Sequence, residues 1–173
     1  MAQSKVAGLL ESLTRLIPGI SGYQAREKRR GADKAVREKA AGAVIRCRGK
    51  ISRLITAMSR KGDLASLKSI GELERVAIRL ERLEDELRHA VYGYTGFFDE
   101  TGVAQEELGL LYEFDIELLS ESEKLEGLVP DRQSGTTEGW LESLSNTVDA
   151  VQRSFEARKR VVERKGNGCE VAE

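Results

Sequence analysis

Histidine, tryptophan, proline and cysteine are nearly missing from this chain: one, one, two and two in 173 residues. Each shortage excludes something. Glu86 and His89 share a helical face at i and i+3, the spacing of a ferritin-like di-metal ligand pair. A single histidine leaves no second pair to complete that centre, so no metal or other cofactor is expected. The two cysteines have no metal-ligand spacing. Cys47 falls among apolar positions and Cys169 in a polar tail, which points to a reduced, cytoplasmic setting rather than a disulfide scaffold. No apolar run approaches the roughly 20 residues of a membrane span. No basic region followed by an apolar core opens the chain, so no signal peptide is expected. Charge of one sign is also lacking: Lys and Arg number 28, Asp and Glu 29, and the net charge is −1.

Catalytic motifs are equally scarce. "GISG" could present backbone N–H groups to an anion, but it lacks the G-x-x-x-x-G-K-[ST] spacing of a phosphate loop and follows no predicted strand. The serines carry no nucleophile-turn motif. No base stands near Cys47 in sequence, so a core thiol is expected there rather than a nucleophile. No small-molecule substrate is evident, and an enzyme is not expected.

What remains is a helical pattern. Only Pro18 and Pro130 interrupt the chain, and proline is what a helix interior excludes. Residues 2–16 form a short amphipathic segment with Val6, Leu9, Leu10, Leu13 and Leu16 along one side. A first long helix is expected over about 24–61, with Val36, Ala40, Ala43, Val44, Cys47, Ile51, Leu54 and Met58 inward, ended by Gly62-Asp63. A second is expected over 65–95, where Leu73, Val76, Leu80, Leu83, Leu87 and Ala90 keep a coiled-coil-like spacing. A third spans 104–127 with Leu108, Leu111, Leu118 and Leu125. The fourth spans 137–165 with Leu141, Leu144, Val148, Val151, Phe155 and Val162. Trp140 reads as a core anchor. The glycines Gly42, Gly49, Gly71 and Gly109 fall inside these helices, each at a cost of about 1 kcal/mol that close helix approach could offset. The fold class is therefore all-α: an up-and-down antiparallel bundle of four long helices plus a short N-terminal helix. Residues 1–165 form one domain and 166–173 a flexible tail.

Six of the nine aromatic residues lie between 92 and 114: Tyr92, Tyr94, Phe97, Phe98, Tyr112 and Phe114. Tyr23 joins them at one bundle end if successive helices run antiparallel. They read either as an aromatic plug, with the Pro18–Gly22 corner folding the first helix across that end, or as a docking surface for a partner.

"IPGISGYQAREKRRGADKAVRE" together with "RHAVYGYTGFFDETGVAQEELGLLYEFD" resembles an uncharacterised prokaryotic family of all-helical proteins. Those relatives carry similar P-G-x-x-G-Y-x-x-R-E-x-R-R and Y-G-Y-x-G-x-F-D segments. The resemblance covers about residues 14 to 120. It implies a shared fold and, with no activity assigned to the family, no catalytic residues.

Charge is segregated along the chain. Residues 26–61 hold thirteen Lys or Arg and three acids, while 99–131 hold eleven acids and one lysine. Helical phase gathers Lys39, Arg46, Lys50, Arg53 and Arg60 into one stripe, and Glu106, Glu113, Glu117 and Glu121 into another. The two stripes pair within the monomer if the first and third long helices share a seam. In a square bundle those helices are diagonal, and the stripes then face outward toward a second copy or a charged partner. The basic run at 26–30 opposes its helix dipole, with Asp99 and Glu100 as expected compensating partners. The leading expectation is a non-enzymatic interaction or scaffold protein, self-associating or protein-binding. The alternative is an anionic-surface binder, in which the basic helix at 26–61 meets nucleic acid or membrane. The acids Glu27, Asp33 and Glu38 within that helix argue against nucleic acid, as does the absence of any recognised binding motif.

Overall fold

Wherever apolar residues recur at three and four positions without proline, the chain is helical. The structure, a computed structural model, describes residues 2–23, 25–90, 104–130 and 139–166. Among them the regular elements are α1 (Ala2–Leu16), α2 (Arg26–Ser59), α3 (Leu64–His89), α4 (Gln105–Leu128) and α5 (Trp140–Gly166), with no strand. Tyr92, Tyr94, Phe97 and Phe98, the acids Asp99 and Glu100, and tail residues 167–173 lie outside the described residues.

The helix boundaries have local causes. Gly62 takes φ +66° after α2, and Asp63 then caps α3. Its carboxylate accepts the Ser66 N–H at 2.7 Å and the Ser66 hydroxyl at 2.9 Å, which holds the carboxyl below its usual pKa. Trp140 opens α5 and donates its indole N–H to the Leu128 carbonyl at 2.7 Å, closing the end of α4. The inward stripes converge on one core: Val44, Ile51 and Leu54 from α2, Leu73, Leu80 and Leu87 from α3, Leu111, Leu118 and Leu125 from α4, and Leu144, Val151 and Phe155 from α5. Burying each such side chain contributes about 1.5–3 kcal/mol.

Cross-helix pairs fix the directions. Arg37 reaches the Leu87 carbonyl while Arg48 reaches Glu81, so α2 and α3 run antiparallel. Asp115 meets Arg158 and Leu128 meets Trp140, so α4 and α5 do too. Lys39 pairs with Glu123 and Arg46 with Glu126, whereas Tyr23, before α2, meets Tyr112; α2 and α4 are parallel.

Of the two arrangements the sequence left open, the first and third long helices are neighbours: α2 packs on α3 and α4, α5 packs on the same two, and α3 and α4 do not pack together. α3 ends at His89, with Ala90 as its C-cap. Among the described helices α1 packs on α4 alone, with Lys5 beside Glu113 and Val6 beside Gly109. A Cβ at Gly109 would lie 3.6 Å from Val6 Cγ2, an ordinary van der Waals contact, so the α1–α4 packing does not require glycine there.

Candidate functional site

The corner after α1 brings the first functional side chain inward. Gly19 (φ +86°) and Gly22 (φ +70°) turn the chain so that Tyr23 enters the core. The Tyr23 backbone N–H donates to the Tyr112 hydroxyl at 2.7 Å, and the two rings lie 5.3 Å apart. Arg29 Nε donates to the Tyr23 carbonyl at 2.7 Å, which turns a residue of the basic run into the protein instead of toward an external anion.

Behind Tyr23 lies a charge network drawn from α2, α4 and α5. Arg158 donates from Nε to Asp115 Oδ1 at 2.6 Å, and from one terminal nitrogen to Asp33 Oδ1 at 2.6 Å and the Tyr23 hydroxyl at 3.2 Å. Arg37 Nε donates to the other Asp33 oxygen at 3.1 Å, and Arg37 also satisfies the Leu87 carbonyl at 2.6 Å in the last turn of α3. None of these side chains is more than 4% exposed. Asp115 Oδ2 completes no hydrogen bond of ordinary geometry, so the Tyr23 hydroxyl proton beside this carboxylate is the donor available to it.

Burial dominates the electrostatics. Desolvation pushes the Asp115 carboxyl up, with Arg158 offsetting part of the shift. It also lifts the Tyr23 hydroxyl well above its usual range, and the Asp115 charge adds to that. Desolvation alone would lower Arg158, but the charges of Asp115 and Asp33 outweigh it and keep the guanidinium firmly protonated. A buried ion pair of this kind fixes geometry more than it stabilises, and losing one partner is costly. The network is closed to solvent, and its groups lock four parts of the chain together.

The sequence-predicted surface residues divide differently from expectation. Lys39 pairs with Glu123 at 3.4 Å; Arg46 makes two bonds of 2.8 Å to Glu126; Lys50 Nζ donates to the Glu126 carbonyl at 3.2 Å. The basic stripe does meet α4, but at Glu123 and Glu126 on its flank. Of the predicted acidic stripe, Glu106 and Glu117 are exposed, Glu113 binds Lys5 of α1 at 2.7 Å and Glu121 lies 3.4 Å from Lys124. These four share the outward side of α4, and Leu110 stands among them 46% exposed. Arg53 and Arg60 lie beyond the last α2–α4 bonds and are exposed.

Past Lys50, α2 continues to Ser59, about 13 Å at 1.5 Å per residue. The tip it forms with α3 carries Arg60, Lys61 and Lys68 in solvent around Leu64, 84% exposed, and Leu67, 57% exposed. Sequence reading singled out Arg60 but neither leucine, because both lie off the inward stripe of α3.

The remaining candidates have ordinary surroundings. Cys47 is buried, and desolvation pushes its thiol up to about 12. Glu86 and His89 are exposed, and among the described residues no three His, Cys, Asp or Glu side chains are grouped to hold a metal. Glu84 receives Arg88 at 3.1 Å on one oxygen and Arg48 at 2.9 Å on the other. Among the described residues no helix is long and apolar enough to cross a membrane. Comparison with protein-family models, curated proteins and solved structures found no match to this chain.

Proposed function

We propose that this chain is a non-enzymatic, cytoplasmic interaction or scaffold protein. In this reading its four long helices form an up-and-down bundle stiffened by the Arg158 network, and it self-associates through exposed patches. One observation carries the reading: the exposed leucines lie beside clusters in which one charge sign predominates, cationic at the tip and acidic on the outer side of α4. Leu64 and Leu67 stand among Arg60, Lys61 and Lys68, and Leu110 stands among Glu106, Glu113 and Glu117. Apolar side chains left in water beside charges without an ion pair among the described residues, Arg60 and Lys68 at the tip and Glu106 and Glu117 on α4, are the composition of a weak, selective contact surface. Tyr23, Asp115 and Arg158, whose proton affinities are displaced by burial and by one another's charges, are fully enclosed and mutually bonded, which suits a structural role. Sedimentation velocity over a wide concentration range at low salt tests the reading. A strict monomer that also binds no protein partner contradicts it.

A second reading is favoured by the same tip: Arg53, Arg60, Lys61 and Lys68 with Leu64 resemble a short anionic-surface anchor, for membrane or nucleic acid. The α2 cations Lys39, Arg46 and Lys50 are already engaged by α4, which confines any such surface to the tip. Co-sedimentation with vesicles rich in anionic lipid, and a mobility shift on mixed-sequence nucleic acid, distinguish it from self-association.

A further inference from the structure

We propose that copies of this chain dock head to tail, the cationic α2–α3 tip of one seating on the acidic outer face of α4 in the next. The inference rests on the self-association reading and adds which surfaces meet. The tip comprises Arg60, Lys61, Leu64, Leu67 and Lys68; the face comprises Glu106, Leu110, Glu113 and Glu117.

The two patches are complementary in predominant sign and in apolar content, although the tip also carries the carboxylate of Asp63 and Glu113 of the face already holds Lys5 of α1. Each centres on exposed leucine, and Arg60, Lys68, Glu106 and Glu117 have no ion pair among the described residues. Like patches repel, so tip against tip and face against face are disfavoured. The net charge of −1 leaves no long-range repulsion between whole molecules.

Geometry makes the contact intermolecular. The first turns of α4 lie beside the start of α2, where Tyr23 meets Tyr112, whereas the tip follows the end of α2. With 34 residues, α2 separates them by roughly 50 Å, so a tip cannot reach the face of its own chain. Two different patches joining by one operation form a heterologous contact, which propagates in chains or closes into a ring. Three leucines and a few ion pairs make a small interface, in the class of weak, transient contacts. Association should therefore be seen at high protein concentration and low salt, and weaken as salt screens the charges.

The test is a charge exchange followed by sedimentation equilibrium. Lys61→Glu/Lys68→Glu makes the tip acidic, and Glu106→Lys/Glu117→Lys makes the face basic. All four positions are exposed, and unchanged helicity and denaturation midpoint confirm the fold. Each variant alone should associate at least about tenfold more weakly than the native chain, because like charges now oppose each other. An equal mixture should regain association, since acidic tip then meets basic face and native tip meets native face. If the native chain associates and both variants associate equally well, the head-to-tail contact is wrong while self-association stands. A mixture that stays monomeric also overturns the pairing. A native chain that is monomeric throughout overturns both. If that monomer binds anionic vesicles and Lys61→Glu/Lys68→Glu releases it, the tip serves a lipid surface instead of a second copy.

Discussion

Arg158 lies on α5 and Asp33 on α2, two helices whose backbones do not pack together, yet guanidinium and carboxylate meet at 2.6 Å. The long arginine side chain spans the diagonal of the helical array and collects Asp115 on the way. Removing the cation leaves two enclosed carboxylates facing each other. Arg158→Met should therefore lower stability by about 3–5 kcal/mol, the cost of breaking a buried pair from one side. Denaturant unfolding measures it. A loss below about 1 kcal/mol, the range of an exposed pair, would contradict the buried network.

Alkaline pH probes the same cluster. Burial, then the Asp115 charge, raises Tyr23 well above the usual 10.0. The folded chain keeps this proton where the unfolded chain loses it. The associated stability is complete below about pH 10 and declines as pH rises toward the folded value. A phenolate titration of the native chain against Tyr23→Phe should reveal one hydroxyl that ionises only with unfolding. A difference between the two that titrates near pH 10 while helicity is intact would speak against burial.

Cys47 behaves similarly over a lower range. Desolvation moves its thiol from 9.0 to about 12, so its stability contribution is present below pH 9 and lost between there and about 12. In a Cys169→Ser background, Cys47 should resist thiol reagents at pH 8–9 and react as denaturant unfolds the chain. Rapid modification of the folded protein would place the thiol at the surface.

Gly22 and Gly19 give a paired comparison. Both have positive φ, but a Cβ at Gly22 would lie 2.5 Å from the Tyr112 hydroxyl and 2.6 Å from Leu10 Cδ1, whereas Gly19 faces open space. Gly19→Ala should cost about 1–2 kcal/mol for the left-handed backbone alone. Gly22→Ala should cost more, because it also breaks the Tyr23–Tyr112 contact. Equal losses would show that the corner does not depend on that packing.

The helices were legible because periodicity and the absence of proline act locally. Every apolar position expected inward on α2 is buried, from Val36 to Met58. The buried charges left a fainter trace: Arg158 falls three residues after Phe155 and four before Val162, and Asp115 four after Leu111 and three before Leu118. They occupy gaps in apolar stripes, where reading for hydrophobicity alone passes over them. Tyr23 was placed at the correct end, since a turn before the first long helix leaves it nowhere else to go. The α2–α4 adjacency was not legible. Helical periodicity says which side of a helix faces inward but not which other helix it packs against. The exposed leucines were missed for a related reason: outward apolar residues interrupt no pattern.

The most direct measurement is weight-average mass by sedimentation equilibrium at two ionic strengths. At about 0.01 M, charges act over about 30 Å; at about 1 M, over about 3 Å. If oppositely charged, leucine-centred patches join copies of this chain, the mass should rise well above 19.2 kDa with concentration at low salt and return to it at high salt. A mass of 19.2 kDa under both conditions at every concentration would contradict self-association.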